Sequence, residues 1–205
     1  MVKFELFRNS VFESNTYLIE KENSIDCFLV DCGDVDDIIG YLRKRGLVLK
    51  GIFLTHTHFD HIYGLNSMID EFPDLVVYTS GFGKIGLFSD KLNLSRYYLH
   101  PFVFQYPDRV EVLNEKSNVN LWEQDEIEII ETPGHDRSCL TYKVDNNLFS
   151  GDSFIPGIKV VTSLPNSNKT DAEVSLHRIL SLSKDCNLCP GHGEIYESFQ
   201  PEIYL

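Results

Sequence analysis

Three of the chain's seven histidines fall within six residues, in Thr55-His56-Thr57-His58-Phe59-Asp60-His61, with Asp60 among them. Imidazole and carboxylate are first-choice ligands for zinc and for iron. His56 and His58 are two residues apart, so in extended backbone they point to the same side. Asp60 and His61 follow where the chain turns towards a helix and can approach a second point nearby. The spacing suits two metal ions held side by side. An exposed polar loop with chance histidines is the bland alternative. The apolar strand Gly51-Ile52-Phe53-Leu54-Thr55 leads directly into the cluster and argues against it. Burying these groups without such a use would be costly.

Three later segments share a shape: Glu131-Thr132-Pro133-Gly134-His135, Phe149-Ser150-Gly151-Asp152 and Cys189-Pro190-Gly191-His192. Each follows a predicted strand and presents a ligand-type side chain after a glycine, which lets the backbone turn sharply. A lone Gly-His or Gly-Asp is usually just a turn. Together they bring His135, Asp152 and His192 to the ends of three separate strands. His100 and His177 read as surface or structural residues. Arg137 and Lys159 lie just after ligand segments and are candidates to hold a substrate carboxylate, with plain surface charge as the competing reading. Cys186 and Cys189 form a C-x-x-C, but a structural zinc needs about four ligands, no second such pair exists, and residues three apart on a strand face opposite ways.

The elements that must position these groups alternate between strands and helices. Val2 to Phe7, Thr16 to Ile19 and Cys27 to Val30 read as strands. Asp34 is placed to cap a helix from about Val35 to Arg45, which Gly46 ends. Arg43-Lys44-Arg45 suits that helix's C-terminal dipole. Tyr63 to Phe72 reads as a helix and Leu75 to Tyr78 as a strand. The stretch from about 80 to 120 carries scattered aromatics and reads equally as a lid or helical hairpin over the site or as filling for a second part of the core. Glu126 to Ile130, Leu140 to Val144 and Leu148 to Phe149 are strand-like, with Asp145-Asn146-Asn147 as a turn. Asp171 is placed to cap a helix from Ala172 to Leu182, and Cys186 to Cys189 reads as a last strand. Ligand sites gather at the carboxyl ends of strands in α/β sheets. The pattern predicts two packed sheets with helices outside.

The chain has 205 residues, 42% hydrophobic and 24% charged, which suits one sizeable core. No apolar run approaches the roughly 18 residues of a membrane helix, and the charged start lacks a signal peptide's features. The expected location is cytoplasmic, with no membrane partner. A net charge of −13 repels phosphate backbones and argues against a nucleic-acid partner. Five cysteines without a secretory signal predict reduced thiols.

Taken in order, these residues resemble the metallo-β-lactamase fold superfamily. Its H-x-H-x-D-H signature stands as His56, His58, Asp60 and His61, followed by His135, Asp152 and His192. The resemblance implies an α/β (α+β) fold, a four-layer αββα sandwich formed by residues 1–205 as one domain, with a dinuclear site at one edge. It implies that His56, His58 and His135 hold one metal, that Asp60, His61 and His192 hold the second, and that Asp152 bridges both together with a water or hydroxide. Two divalent metal ions are expected, zinc first, with iron or manganese as alternatives. The shared hydroxide would attack a carbonyl or phosphoryl centre, and Asp60, the expected catalytic residue, would orient it and pass a proton to the leaving group.

Within the superfamily, true β-lactamases lack the bridging aspartate, so Asp152 argues against antibiotic hydrolysis. The flavodiiron branch carries Glu where His58 stands. Thr55-His56, Thr132-Pro133-Gly134-His135, Ser150-Gly151-Asp152 and Pro190-Gly191-His192-Gly193 are most similar to the glyoxalase II (hydroxyacylglutathione hydrolase) branch, which cleaves thioesters. Ser138 stands where that branch often has Gly, and its glutathione-binding C-terminal helical domain lies outside the expected 1–205 domain. The expected function is hydrolysis of a small ester, thioester or lactone, with a small-molecule substrate as partner and the oligomeric state left open. The alternative is a mononuclear-iron oxidoreductase of the persulfide dioxygenase type. Net charge weighs against the tRNA-processing branch.

Overall fold

Alternation along the strands sorts the side chains into separate layers. The computed structural model describes residues 1–123 and 125–204. Strands β1 (Val2–Arg8), β2 (Asn15–Lys21) and β3 (Asp26–Val30) form an antiparallel meander. β4 (Val48–Phe53), β5 (Val76–Ser80) and β6 (Val110–Leu113) extend it in parallel, giving the order β1-β2-β3-β4-β5-β6. Helices α1 (Asp36–Arg45), α2 (Leu65–Glu71) and α3 (Gly81–Leu87) make the crossovers. The second sheet has the order β11-β10-β9-β8-β7, from β7 (Val119–Trp122), β8 (Asp125–Glu131), β9 (Leu140–Val144), β10 (Asn147–Gly151) and β11 (Asn187–Pro190). β11 returns parallel to β10 after α4 (Lys169–Ser183).

Leu18, Leu29 and Ile52 point away from the second sheet and pack with Ile38 and Leu42 of α1 and with Leu65 and Met68 of α2. Their neighbours Tyr17, Ile19, Phe28, Val30 and Phe53 point the other way and meet Ile129, Tyr142 and Phe149 between the sheets. On the far side Leu148 and Leu188 pack against Ile179 and Leu180 of α4. Period-two alternation in each strand thus produces the α/β/β/α layering. Each fully buried Leu, Ile or Phe stabilises it by roughly 1.5–3 kcal/mol. Cys186 packs in the outer layer and Cys189 between the sheets, so the C-x-x-C is split across faces. Among the described residues no helix is long and apolar enough to cross a membrane.

Several local expectations need correction. Asp34 does not cap α1. The cap position is Val35, with no side-chain cap, while the Asp34 carboxylate accepts hydrogen bonds from Ser10 N (2.6 Å) and Ser10 Oγ (3.1 Å). Asp36 and Asp37 supply the negative charge of the first turn instead. Gly46 ends the helix in the left-handed conformation, φ 63°. Asp171 does not cap α4. Asn168 does, its Oδ1 accepting from Thr170 N and Asp171 N at 2.9 and 3.1 Å, so the helix starts at Lys169. The expected helix from Tyr63 begins at Leu65, after a 3-10 turn over Phe59–His61 that carries Asp60 and His61.

The 80–120 stretch contributes α3, two 3-10 turns and the strands β6 and β7 rather than a helical hairpin. Phe102 and Phe104 are buried in the layer beneath α2, and Phe88 and Tyr106 pack against it. Tyr98 alone of its aromatics lines the cleft described below.

Candidate metal centre

Strand ends set the site. β3 ends at Val30 beside Phe53 of β4, which puts Asp31 next to Thr55. Asp31 adopts φ 61° and its carboxylate turns inward. Thr55 N donates to Asp31 Oδ1 at 2.7 Å and Thr55 Oγ1 donates to Oδ2 at 2.8 Å. Having given its proton away, Thr55 Oγ1 accepts from His56 Nδ1 at 3.1 Å. Asp31 Oδ2 also accepts from His61 Nδ1 at 2.9 Å. One buried carboxylate therefore sets the tautomer of two histidines.

Two of the other three imidazoles are fixed in the same manner. His135 Nδ1 donates to Val161 O at 3.2 Å, and His192 Nδ1 donates to Phe12 O at 3.0 Å. His58 is reversed, with Nδ1 facing His135 Nε2 at 2.9 Å and Nε2 facing Asp136 Oδ2 at 3.6 Å. Outer partners of this kind orient imidazole ligands and leave the inner nitrogen as an electron-pair donor.

The inner nitrogens converge. His56, His58 and His135 form one group, Asp60, His61 and His192 a second, and His56, His61 and Asp152 a third, with the ligand atoms of each group within 4.8 Å of one another. Asp152 Oδ1 lies 3.5 Å from His61 Nε2, and Asp152 Oδ2 lies 3.5 Å from both His135 Nε2 and His192 Nε2. It sits between the first two groups. Gly191 makes room for it, since a Cβ there would stand 2.1 Å from Asp152 Oδ1.

The residues fit metal ions. His56 Nε2 and Asp152 Oδ1 are buried without a hydrogen-bond partner. His61 Nε2 and His192 Nε2 face each other at 3.3 Å although their Nδ1 atoms already carry the donated protons. Buried lone pairs aimed at one another are costly unless a cation takes them up. Protonation states agree for His56 and His135. Burial, with the neighbouring imidazoles, holds His56 well below the usual histidine range. Burial also lowers His135 against the pull of Asp152. Burial lowers His61 and His192 as well, but the carboxylates of Asp60 and Asp152 outweigh it and raise His61 well above the usual histidine range and His192 to about 9, so an ion bound there would displace a proton. Burial opposes ionisation of Asp152, but His61, His192 and His135 overcome it and hold the carboxyl at about 2. For Asp60 the same histidines His61 and His192 outweigh burial in the same direction.

A cleft of about 550 Å³ opens over the site, lined by His58, Asp60, His135, Asp152 and His192 on its floor. Arg137 and Lys159 do not line it. The Arg137 guanidinium lies 3.7 Å from the Phe82 ring centroid, and Lys159 lines a neighbouring cavity of about 390 Å³. His100 and His177 are exposed. All five cysteines are buried and free. Sequence reasoning missed Asp31 and Asp136. Asp31 carries no spacing signal, since it becomes a partner of His61 only through the β3–β4 register. Asp136 directly follows a ligand, and the reversed ring of His58 is what gives it a role.

A family model described as "Metallo-beta-lactamase superfamily" matches residues 9–192. Hydroxyacylglutathione hydrolase of Hydrogenovibrio crunogenus is 29% identical over 187 residues, covering 90% of this chain and 60% of the enzyme. Hydroxyacylglutathione hydrolase 1 of Vibrio vulnificus is 31% identical over 189 residues, covering 92% and 65% respectively. The chain thus spans somewhat under two thirds of these relatives' length. Among solved structures, the BLEG-1 B3 metallo-beta-lactamase superposes with a TM-score of 0.87 at 25% identity, covering 95% of this chain and 93% of its own. Two sheets sandwiched by helices, histidine and aspartate side chains converging at their strand ends, and a family match over nearly the whole length lead to one assignment: the chain belongs to the metallo-beta-lactamase superfamily.

Proposed function

We propose that this protein is a dinuclear metal-dependent hydrolase of a small ester, thioester or lactone. The observation that carries the reading is the position of Asp152 within 3.5 Å of His61, His135 and His192, between two three-residue groups. His56, His58 and His135 would hold one divalent ion, Asp60, His61 and His192 the other, and Asp152 both, with zinc the expected metal and iron or manganese chemically acceptable. Ions bound there would lower the pKa of a shared water towards neutrality and polarise the scissile carbonyl.

The chain's own residues do the rest. Asp60 lines the cleft with Oδ2 at 3.3 Å from both His61 Nε2 and His192 Nε2. From there it orients the attacking water and carries a proton to the leaving group. The water's oxygen bonds to the acyl carbon, the C–S or C–O bond breaks, and the proton ends on the departing thiol or alcohol. The hydroxyacylglutathione hydrolase relatives support the thioester choice.

The test is metal content of protein purified without added metal, followed by a panel of thioesters, esters and lactones. About two metals per chain with turnover of one panel member is expected. One iron per chain with oxygen consumption on a persulfide would favour the dioxygenase alternative. The panel includes a β-lactam, because the BLEG-1 relative is named for that activity; Asp152 favours the other substrates. Full activity in His58→Ala would overturn the site.

A further inference from the structure

The walls of the cleft differ in character from its floor. On one side Phe12 packs edge-on against Tyr98 with ring centroids 5.4 Å apart, and Tyr98 lies against Phe59 at 4.9 Å. The same cleft is lined by Ile155, Ile158 and Val161, where Ile155 and Ile158 pair through their backbones. Among the described residues no Lys or Arg lines the cleft. Of the cations that follow ligand segments, Arg137 lies over Phe82 and Lys159 lines the neighbouring cavity.

Both walls are fastened to the ligands. Phe12 and Glu13 each adopt φ 54°, a left-handed conformation uncommon for side-chain-bearing residues. This bend brings the Phe12 carbonyl to His192 Nδ1. The Phe12 ring is 60% exposed, reaching over the mouth rather than filling the core. Among the aliphatic residues, the Val161 carbonyl holds His135 Nδ1, and Ile158 N donates to Ile155 O at 3.0 Å. Ile158 and Val161 are 56% and 45% exposed. A contiguous apolar surface that flanks a polar floor marks a ligand site.

We infer that the substrate is an uncharged ester or thioester whose apolar acyl chain lies between the Phe12–Tyr98–Phe59 wall and the Ile155–Ile158–Val161 wall. The inference rests on the hydrolase reading above. Beyond ions at the floor, an anionic leaving group such as glutathione would find no Lys or Arg in the cleft, on a chain whose net charge is −13. An apolar chain would exchange water for aromatic and aliphatic contact on both sides.

The experiment compares four thioesters on the metal-loaded protein: acetyl and hexanoyl groups, each on neutral N-acetylcysteamine and on glutathione. Hexanoyl-N-acetylcysteamine should have the highest kcat/KM, at least ten-fold above hexanoylglutathione. Values should rise roughly three- to four-fold per methylene between acetyl and hexanoyl. Phe12→Ala and Ile158→Ala, both at exposed positions, should flatten that rise. Preference for the glutathione thioesters, or for acetyl over hexanoyl, would overturn the inference and leave the hydrolase reading standing. Failure to cleave any thioester or the matching esters would overturn the inference, and failure on the lactones as well would remove the hydrolase reading. Calorimetric titration with uncharged hexanamide and with S-methylglutathione, whose sulfur is blocked, gives a readout free of turnover, in which hexanamide should bind and S-methylglutathione should not; the reverse would overturn the inference.

Discussion

Asp31 Oδ2 accepts a hydrogen bond from His61 Nδ1 at 2.9 Å, and both side chains are fully buried. The same carboxylate takes two hydrogen bonds from Thr55. Asp31→Asn keeps the shape but turns an NH2 group towards two donors. Outer-partner mutations of this kind typically cost 10–100-fold in metal affinity. Chelator competition should show a loss in that range while far-ultraviolet circular dichroism stays native. Unchanged affinity would contradict the role given to Asp31.

Asp136 Oδ2 and His58 Nε2 are both buried, and neither has a hydrogen-bond partner closer than their mutual 3.6 Å. The other carboxylate oxygen is held by Ser138 N at 2.8 Å and Ser138 Oγ at 2.5 Å. Asp136→Ala should weaken the His56–His58–His135 group about ten-fold and leave the Asp60–His61–His192 group near its original affinity. A stepwise metal titration separates the two. Equal weakening of both would count against a specific partnership with His58.

Gly191 has no space for a side chain. A Cβ would meet Asp152 Oδ1 at 2.1 Å and the Gly151 carbonyl carbon at 2.9 Å. Gly191→Ala should displace Asp152, lower metal content and reduce kcat/KM by about 100-fold, since misplacement of about 1 Å can cost that much. Metal analysis and kinetics on one preparation check it; a fully active variant would show that the loop yields.

Glu115 ties the segment before β7 to α4. Its carboxylate accepts from Arg178 and from Glu131 N at 2.9 Å. The Arg178 hydrogen bond is the main reason its carboxyl lies below the usual value. An acid lowered in the folded state stabilises above its unfolded value, about 4.3, and that stability is lost as pH falls through the folded value. The pair is exposed, so Glu115→Gln should cost only about 0.5 kcal/mol at pH 7. Denaturant titrations should show the gap to wild type closing below about pH 4 and shrinking in high salt. A gap that persists at pH 3 would rule out the ion pair as its source.

The convergence of these side chains was legible because the groups are local and chemically conspicuous: a dense histidine run and three glycine turns after apolar strands. The layering was legible because β2, β3 and β4 are apolar on both faces, as strands between two layers must be. Caps were misread where an acidic residue stood near a helix start. Asp34 was taken by Ser10, a contact between distant segments, whereas Asp171 was pre-empted by Asn168, an equally local cap three residues earlier. β6 and β7 escaped notice because they lie at sheet edges, where half-exposed sequences such as Val110-Glu111-Val112-Leu113 lose a clear period. Asp31 and the aromatic wall depend on contacts between distant segments, which no spacing encodes.

The loop that carries His192 is joined to the beginning of the chain. Asn15 N donates to Gly191 O at 2.7 Å, Tyr17 Oη donates to Pro190 O at 2.7 Å, and Asn15 Nδ2 bonds both Pro190 O and Gly193 O. During synthesis the early strands and the histidine run leave the ribosome first, yet this seam cannot form until the last strand emerges. At synthesis speeds of roughly 5–20 residues per second, the earlier ligands spend several seconds without their full complement. A metal that needs His192 would therefore be taken up late, on a nearly finished protein, whereas the His56–His58–His135 group is available earlier.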